Sequence, residues 1–136
     1  MERVICIDDD PLCLLLGEMI LKQTNIAKET ILVESGTKAL SLLNDIYSSS
    51  NQPKNSQQPS TLILLDINMP VMNGWNFLGI FEEKYQHLFG EVEIVILSSS
   101  IDTEDIIKSR QYKTVTNFIS KPLTIDAANK LKLTSH

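Results

Sequence analysis

Short apolar runs rich in β-branched residues recur at Val4 to Ile7, Thr30 to Val33, Leu62 to Leu65, Val92 to Leu97 and Val115 to Ile119, and each is read as a strand. Four of the five lack polar/apolar alternation, as strands covered on both faces do; only Val92-Glu93-Ile94 marks an exposed position near a strand start. Covered strands joined by long amphipathic connections pair in parallel. The first connection carries Leu12, Leu15, Leu16, Met19 and Ile20 at helical spacing, which predicts that this stripe is the buried one, with Asp10 as N-cap and Pro11 at the first helical position. Ser35-Gly36 opens a second helix carrying Ala39, Leu42, Leu43 and Ile46, and Gly74 precedes a third with Phe77, Leu78, Phe81 and Tyr85. A shorter fourth lies near Asp102 to Tyr112 with Ile106 and Ile107 as its apolar pair. A fifth follows Lys121-Pro122, capped by Thr124, with Ile125, Ala128 and Leu131 as its inner face. This order predicts an α/β fold, (βα)5, with a doubly wound five-stranded parallel sheet and right-handed crossovers.

The chain has 136 residues, 43% hydrophobic and 21% charged, the size and composition of one domain spanning 1–136. Twelve basic against 17 acidic residues give a net charge of -5. That leaves little positive field for a phosphate backbone, so direct nucleic-acid binding and attachment to an anionic membrane are not expected, and protein partners or a cation are. No apolar run approaches the roughly 18 residues of a membrane span, and Met1-Glu2-Arg3 leads straight into the first strand, so a cytoplasmic chain is expected. Cys6 and Cys13 lack CxxC spacing and read as reduced thiols. The segment 48–60, SSSNQPKNSQQPS, has no large apolar residue and predicts a flexible polar loop.

In a doubly wound sheet, ligands bind beyond the carboxyl ends of the strands. Gathered there are Asp8, Asp9 and Asp10 after the first strand, Asp66 at the end of the third, Ser98 to Ser100 after the fourth and Lys121 after the fifth. Carboxylates within about 4 Å of one another repel by a few kcal/mol per pair at an effective dielectric near 20, so such a cluster wants a cation. A small number of oxygen ligands with room for water suits Mg2+. Lys121 would balance one charge and hold a phosphoryl oxygen, and the Ser98 hydroxyl could donate to another. Asp10 is assigned to capping alone. Taken singly, the others read as a solvated turn residue, a loop starter, a polar cap and an exposed charge; taken together they suit one phosphoryl site.

The residues that carry this chemistry resemble the response regulator receiver domains of two-component signalling, of the chemotaxis-regulator type. The resemblance rests on Val4-Ile5-Cys6-Ile7-Asp8-Asp9-Asp10-Pro11, on Leu64-Leu65-Asp66-Ile67-Asn68-Met69-Pro70 with Met72-Asn73-Gly74, on Ile96-Leu97-Ser98-Ser99, and on Phe118-Ile119-Ser120-Lys121-Pro122. It implies a flavodoxin-like strand order 2-1-3-4-5. It also implies that Asp66 is the phosphoacceptor, that Asp9 binds Mg2+ directly and Asp8 through water, and that the main-chain carbonyl of Asn68 completes the metal shell. Ser98 matches the switch hydroxyl, standing where threonine is often found, Lys121 the cation that pairs with the phosphoryl group, and Phe118 the aromatic that reports the change. The implied function is a stand-alone receiver, not a turnover enzyme on small substrates, that takes a phosphoryl group from a sensor histidine kinase or histidine phosphotransfer protein. It would signal through the face of helix 4, strand 5 and helix 5, to another protein or to a second copy of itself. Two rival readings are a Mg2+-dependent aspartyl-phosphate phosphohydrolase, whose usual DxDxT arrangement is absent, and an unphosphorylated interaction module with the same fold.

Overall fold

The computed structural model describes residues 2–49 and 59–134. Strands and helices alternate as β1 (Arg3–Ile7), α1 (Pro11–Thr24), β2 (Glu29–Val33), α2 (Gly36–Ser49), β3 (Thr61–Asp66), α3 (Gly74–Ile80), β4 (Val92–Ser98), α4 (Thr103–Ser109), β5 (Val115–Ser120) and α5 (Ile125–Thr134). All strand pairs are parallel and the sheet order is β2-β1-β3-β4-β5, the order that the resemblance implies. The α3 helix runs on through a π-helical turn at Phe81–Tyr85 and a 3-10 turn at Gln86–Leu88.

Alternate residues of the inner strands feed two cores. Ile5 and Ile7, Ile63 and Leu65, and Ile94 and Ile96 meet Ala39 and Leu43 of α2 and Phe77 and Leu78 of α3 on one face. Val4 and Cys6, Leu62 and Leu64, and Val95 and Leu97 meet Leu14 and Leu21 of α1 and Ala128 and Leu131 of α5 on the other. β3 lies at the centre and is buried along its whole length, which is why it reads as an unbroken apolar run. The expectation of cover on both faces holds for β1 and β3 but not for β2 and β5, which lie at the edges and expose Leu32, Thr116 and Asn117, while β4, expected to be open near its start, is half-buried at Val92 and Glu93 and buried from Ile94 on.

Several helix faces differ from the expectation. On α1, the predicted inner residues Leu12, Leu15, Leu16 and Met19 are exposed, by 44% to 60%, whereas Leu14 and Leu21, two turns apart, face the sheet. This helix is apolar around most of its circumference, so spacing alone selects a stripe without fixing which stripe meets the core. Ile107 of α4 and Ile125 of α5 are likewise turned outward, while Ala128 and Leu131 are buried as expected. Of the segment 48–60 expected as a flexible polar loop, Ser48 and Ser49 belong to α2, and residues 50–58 lie outside the described residues. The predicted caps form: Asp10 accepts from the Leu12 N–H at 2.9 Å ahead of Pro11, and Thr124 Oγ1 accepts from the Ala127 N–H at 3.0 Å.

Candidate functional site

β1 and β3 are neighbours in the sheet, so the residues that end them arrive side by side. The Asp8 N–H donates to the Val33 carbonyl at 3.1 Å, which fixes the backbone as it leaves β1. Its buried carboxylate accepts the Asp10 N–H at 2.9 Å through Oδ1 and lies 2.7 Å from Lys121 Nζ through Oδ2. Asp66, the last residue of β3, is also buried; its Oδ1 accepts the Asn68 N–H at 3.0 Å and its Oδ2 lies 3.2 Å from Lys121 Nζ. Asp9 is exposed at the mouth, and one oxygen from each of Asp8, Asp9 and Asp66 falls within 4.8 Å of the others. Lys121 is set by its own N–H, which donates to the Ser98 carbonyl at 2.8 Å, and the Lys121-Pro122 peptide is cis.

Charge is not balanced in this cup. Burial, with the neighbouring charge of Asp8, pushes the Asp66 carboxyl above the usual carboxylate range, against the opposing pull of the Asn68 N–H and Lys121. Burial works to lower the Lys121 amine, but its hydrogen bond to Asp8 and the charges of Asp66 and Asp8 together raise it. One ammonium faces three carboxylates, and the surplus negative charge, offered by a few oxygen atoms with one carboxylate open to solvent, fits a small divalent cation such as Mg2+.

Ser98 ends β4 and is fully buried. Its hydroxyl donates to the Ser100 carbonyl at 2.6 Å and accepts the Ser100 N–H at 3.3 Å, with the Asn68 side-chain amide at 3.5 Å. Phe118 sits half-buried on β5 opposite Ile96 and packs against the core that α2 and α3 cover. The structure thus brings Asp8, Asp9, Asp66 and Lys121 into one cup, with Asn68 and Ser98 at its wall and Phe118 on the neighbouring strand.

The loop from Asp66 to α3, quoted in the sequence only as a motif, holds a geometry that its residue types do not spell out. Pro70 and Met72 close a γ-turn, with the Met72 N–H donating to the Pro70 carbonyl at 2.7 Å across Val71 at φ 67°. Asn73 and Asn76 form a reciprocal capping box at the start of α3. Gly74 donates to the Ile67 carbonyl at 3.0 Å, and a Cβ there would stand 2.8 Å from the Ile67 Cα, so only glycine lets the two backbones approach so closely. On the other side of Lys121, a cavity of about 50 Å3 is lined by Cys6, Cys13, Leu14, Gly17 and Leu123. Burial, with the charges of Glu18 and Asp8, pushes the Cys6 thiol up to about 12, in keeping with a reduced, protonated residue.

A parallel sheet wound 2-1-3-4-5, with an acidic cup at its carboxyl edge and a lysine bridging two of the carboxylates, defines a flavodoxin-like α/β protein built around a charged switch point. Residues 4–131 match the response regulator receiver domain. The chain belongs to that family, the receiver domains of response regulators in two-component signalling. It is 28% identical over 106 residues to the response regulator Rcp1 of Synechocystis sp., an alignment covering 78% of this chain and 67% of that protein. Among solved structures, it is similar to a two-component response regulator from Cytophaga hutchinsonii, with 33% identity, a TM-score of 0.84, and 99% of this chain and 96% of the other covered. It shares its fold with the receiver domain of the histidine kinase CKI1 from Arabidopsis thaliana, solved in complex with Mg2+ and BeF3-, with 19% identity, a TM-score of 0.74, and 97% and 85% of the two chains covered.

Proposed function

We propose that this receiver takes a phosphoryl group onto Asp66 from the phosphohistidine of a sensor histidine kinase or histidine phosphotransfer protein, in a reaction that needs Mg2+. The observation that carries this reading is the buried Asp66 carboxylate with the Lys121 amine 3.2 Å away and the oxygens of Asp8 and Asp9 within 4.8 Å. Support for the cation comes from the surplus of carboxylates, and from the CKI1 receiver having been solved with Mg2+ and BeF3-.

A carboxylate oxygen of Asp66 attacks phosphorus; the P–N bond to the donor imidazole breaks, its electron pair returns to the ring nitrogen, and an acyl phosphate remains. Asp9, Asp8, Asp66 and the Asn68 carbonyl would hold Mg2+, which when bound supplies positive charge to the carboxylates and the transferred group. Lys121 lies where its ammonium can exchange a carboxylate for a phosphoryl oxygen. The new group brings about two negative charges and fresh acceptor oxygens, so the Ser98 hydroxyl exchanges its bond to Ser100 for one to the phosphoryl group. The space it vacates lets Phe118 turn inward, which repacks the α4, β5 and α5 face that signals to another protein or to a second copy. The module works in the cytoplasm and does not turn over small substrates. Among the described residues, no helix is long and apolar enough to cross a membrane.

The test is incubation with Mg2+ and acetyl phosphate followed by intact mass, which should show one added phosphate of about 80 Da per chain that decays slowly. Asp66→Asn should show none, and an equal gain in that variant overturns the assignment. Sustained turnover of a generic phosphate ester would instead favour the phosphohydrolase.

A further inference from the structure

α4 is the helix least tied to the cores. None of its side chains belongs to either core among the described residues; Ile107 points outward, and its buried Ser109 hydroxyl turns back on the Ile106 carbonyl of the same helix at 2.6 Å. An element with few buried apolar contacts is held by whatever local ties it has. One such tie is at its leading end, where the Ser98 hydroxyl grips Ser100 two residues before the Asp102 cap. Another is at its trailing end. There the indole of Trp75 stacks on Tyr112, with ring centroids 5.9 Å apart and planes 24° from parallel, while the amine of Lys108 sits 4.8 Å from the indole centroid.

The two sides of this stack belong to different parts of the molecule. Lys108 is in the last turn of α4, and Tyr112 is in the turn that follows it. Trp75 is the second residue of α3, directly after Gly74, which is pinned against Ile67 and the Asp66 carbonyl. The indole is therefore closely connected to Asp66 through Gly74, whereas the amine belongs to α4 and the phenol to the segment that joins α4 to β5. Trp75, Tyr112 and Phe118 also pack against the same core, so a rotation of Phe118 disturbs the surface on which the stack rests.

We propose that Trp75, gripped by Lys108 and Tyr112, is a latch that holds α4 docked in the resting chain, and that it opens when Ser98 leaves Ser100 for a phosphoryl group on Asp66. This inference rests on Asp66 being the phosphoacceptor. With the leading tie gone, the cation–π contact and the ring stack are what hold the trailing end of α4 to α3. The strength of the latch then sets how much of the unphosphorylated population already has α4 released.

Trp75 is the only tryptophan of the chain, so its accessibility can be read directly. Acrylamide quenching of the full-length chain is measured in Mg2+ before and after acetyl phosphate, with intact mass followed on the same samples and amide exchange measured over 103–109. On phosphorylation, the quenching constant should rise about twofold and exchange in α4 should quicken, while β3 and β4 stay protected. The double variant Lys108→Gln with Tyr112→Leu should start near the phosphorylated value and gain little more. The latch is overturned if the mass shows phosphate but quenching does not change, or if the double variant quenches like the parent. A parent chain that gains no mass fails earlier, at the assignment of Asp66, and the latch falls with it.

Discussion

Asp66 is held where its charge is disfavoured: burial, with Asp8 alongside, outweighs the help of Lys121 and the Asn68 N–H. A carboxyl whose folded pKa lies above its unfolded value destabilises the fold at pH above the folded value and contributes nothing below the unfolded one. Asp66→Asn should therefore raise Tm by a few degrees at pH 7 without Mg2+, and the gain should vanish as pH falls below the ordinary carboxylate range near about 4. Melts monitored by circular dichroism at both pH values check the sign; a variant less stable at pH 7 would contradict it. Val71 is strained for a different reason. It is a β-branched residue at φ 67° and fully exposed, so no packing within the chain offsets the backbone conformation. Val71→Asn keeps the γ-turn and should gain about 1 kcal/mol in urea unfolding, since asparagine tolerates this region.

At the level of elements, α1 shows how far local signals reach. Asp10 and Pro11 fix its start because a cap is a bond to the next few residues, and both behave as their sequence predicts. Its buried face is not local information. Leu14→Ala should cost about 2–5 kcal/mol, whereas Leu15→Gln, on the stripe that spacing alone would bury, should change stability by no more than about 0.5 kcal/mol. Equal losses at the two positions in chemical denaturation would restore the spacing-based face. The entry to α3 behaves oppositely: Gly74→Ala places a methyl against the Ile67 backbone, which cannot retreat as a flexible side chain would, and a loss of about 1–3 kcal/mol is expected from the same measurement.

For the molecule as a whole, the acidic cup exists only when β1 and β3 are paired, so a cation that binds it favours the folded chain over the unfolded one. Tm should climb with Mg2+ concentration, reaching about 2.7 kcal/mol of added stability at a hundred times Kd, and EDTA should reverse it. Asp9→Asn removes an exposed carboxylate without disturbing the Lys121 pairs, so it should leave the metal-free Tm nearly unchanged while flattening the Mg2+ response. Calorimetry in which the parent Tm ignores millimolar Mg2+ would remove the cation from the account.

Five apolar runs, their alternation with helices, the caps of α1 and α5, and the motifs around Asp8, Asp66, Ser98 and Lys121 were all legible along the chain. Each depends on residues a few positions apart or on a short pattern, and hydrophobic runs of this kind become inner strands wherever a sheet covers both their faces. The folded chain alone settled which stripe of α1 meets the sheet, that Ile107 and Ile125 turn outward, and that Lys121 bridges Asp8 and Asp66. It alone set the Ser98 hydroxyl on Ser100, stacked Trp75 on Tyr112 and brought the Lys108 amine over the indole. Those outcomes depend on neighbours brought from distant segments by the parallel crossovers. A helix that is apolar on several sides, or an amine on a long flexible stem, takes its place from what the rest of the fold sets beside it.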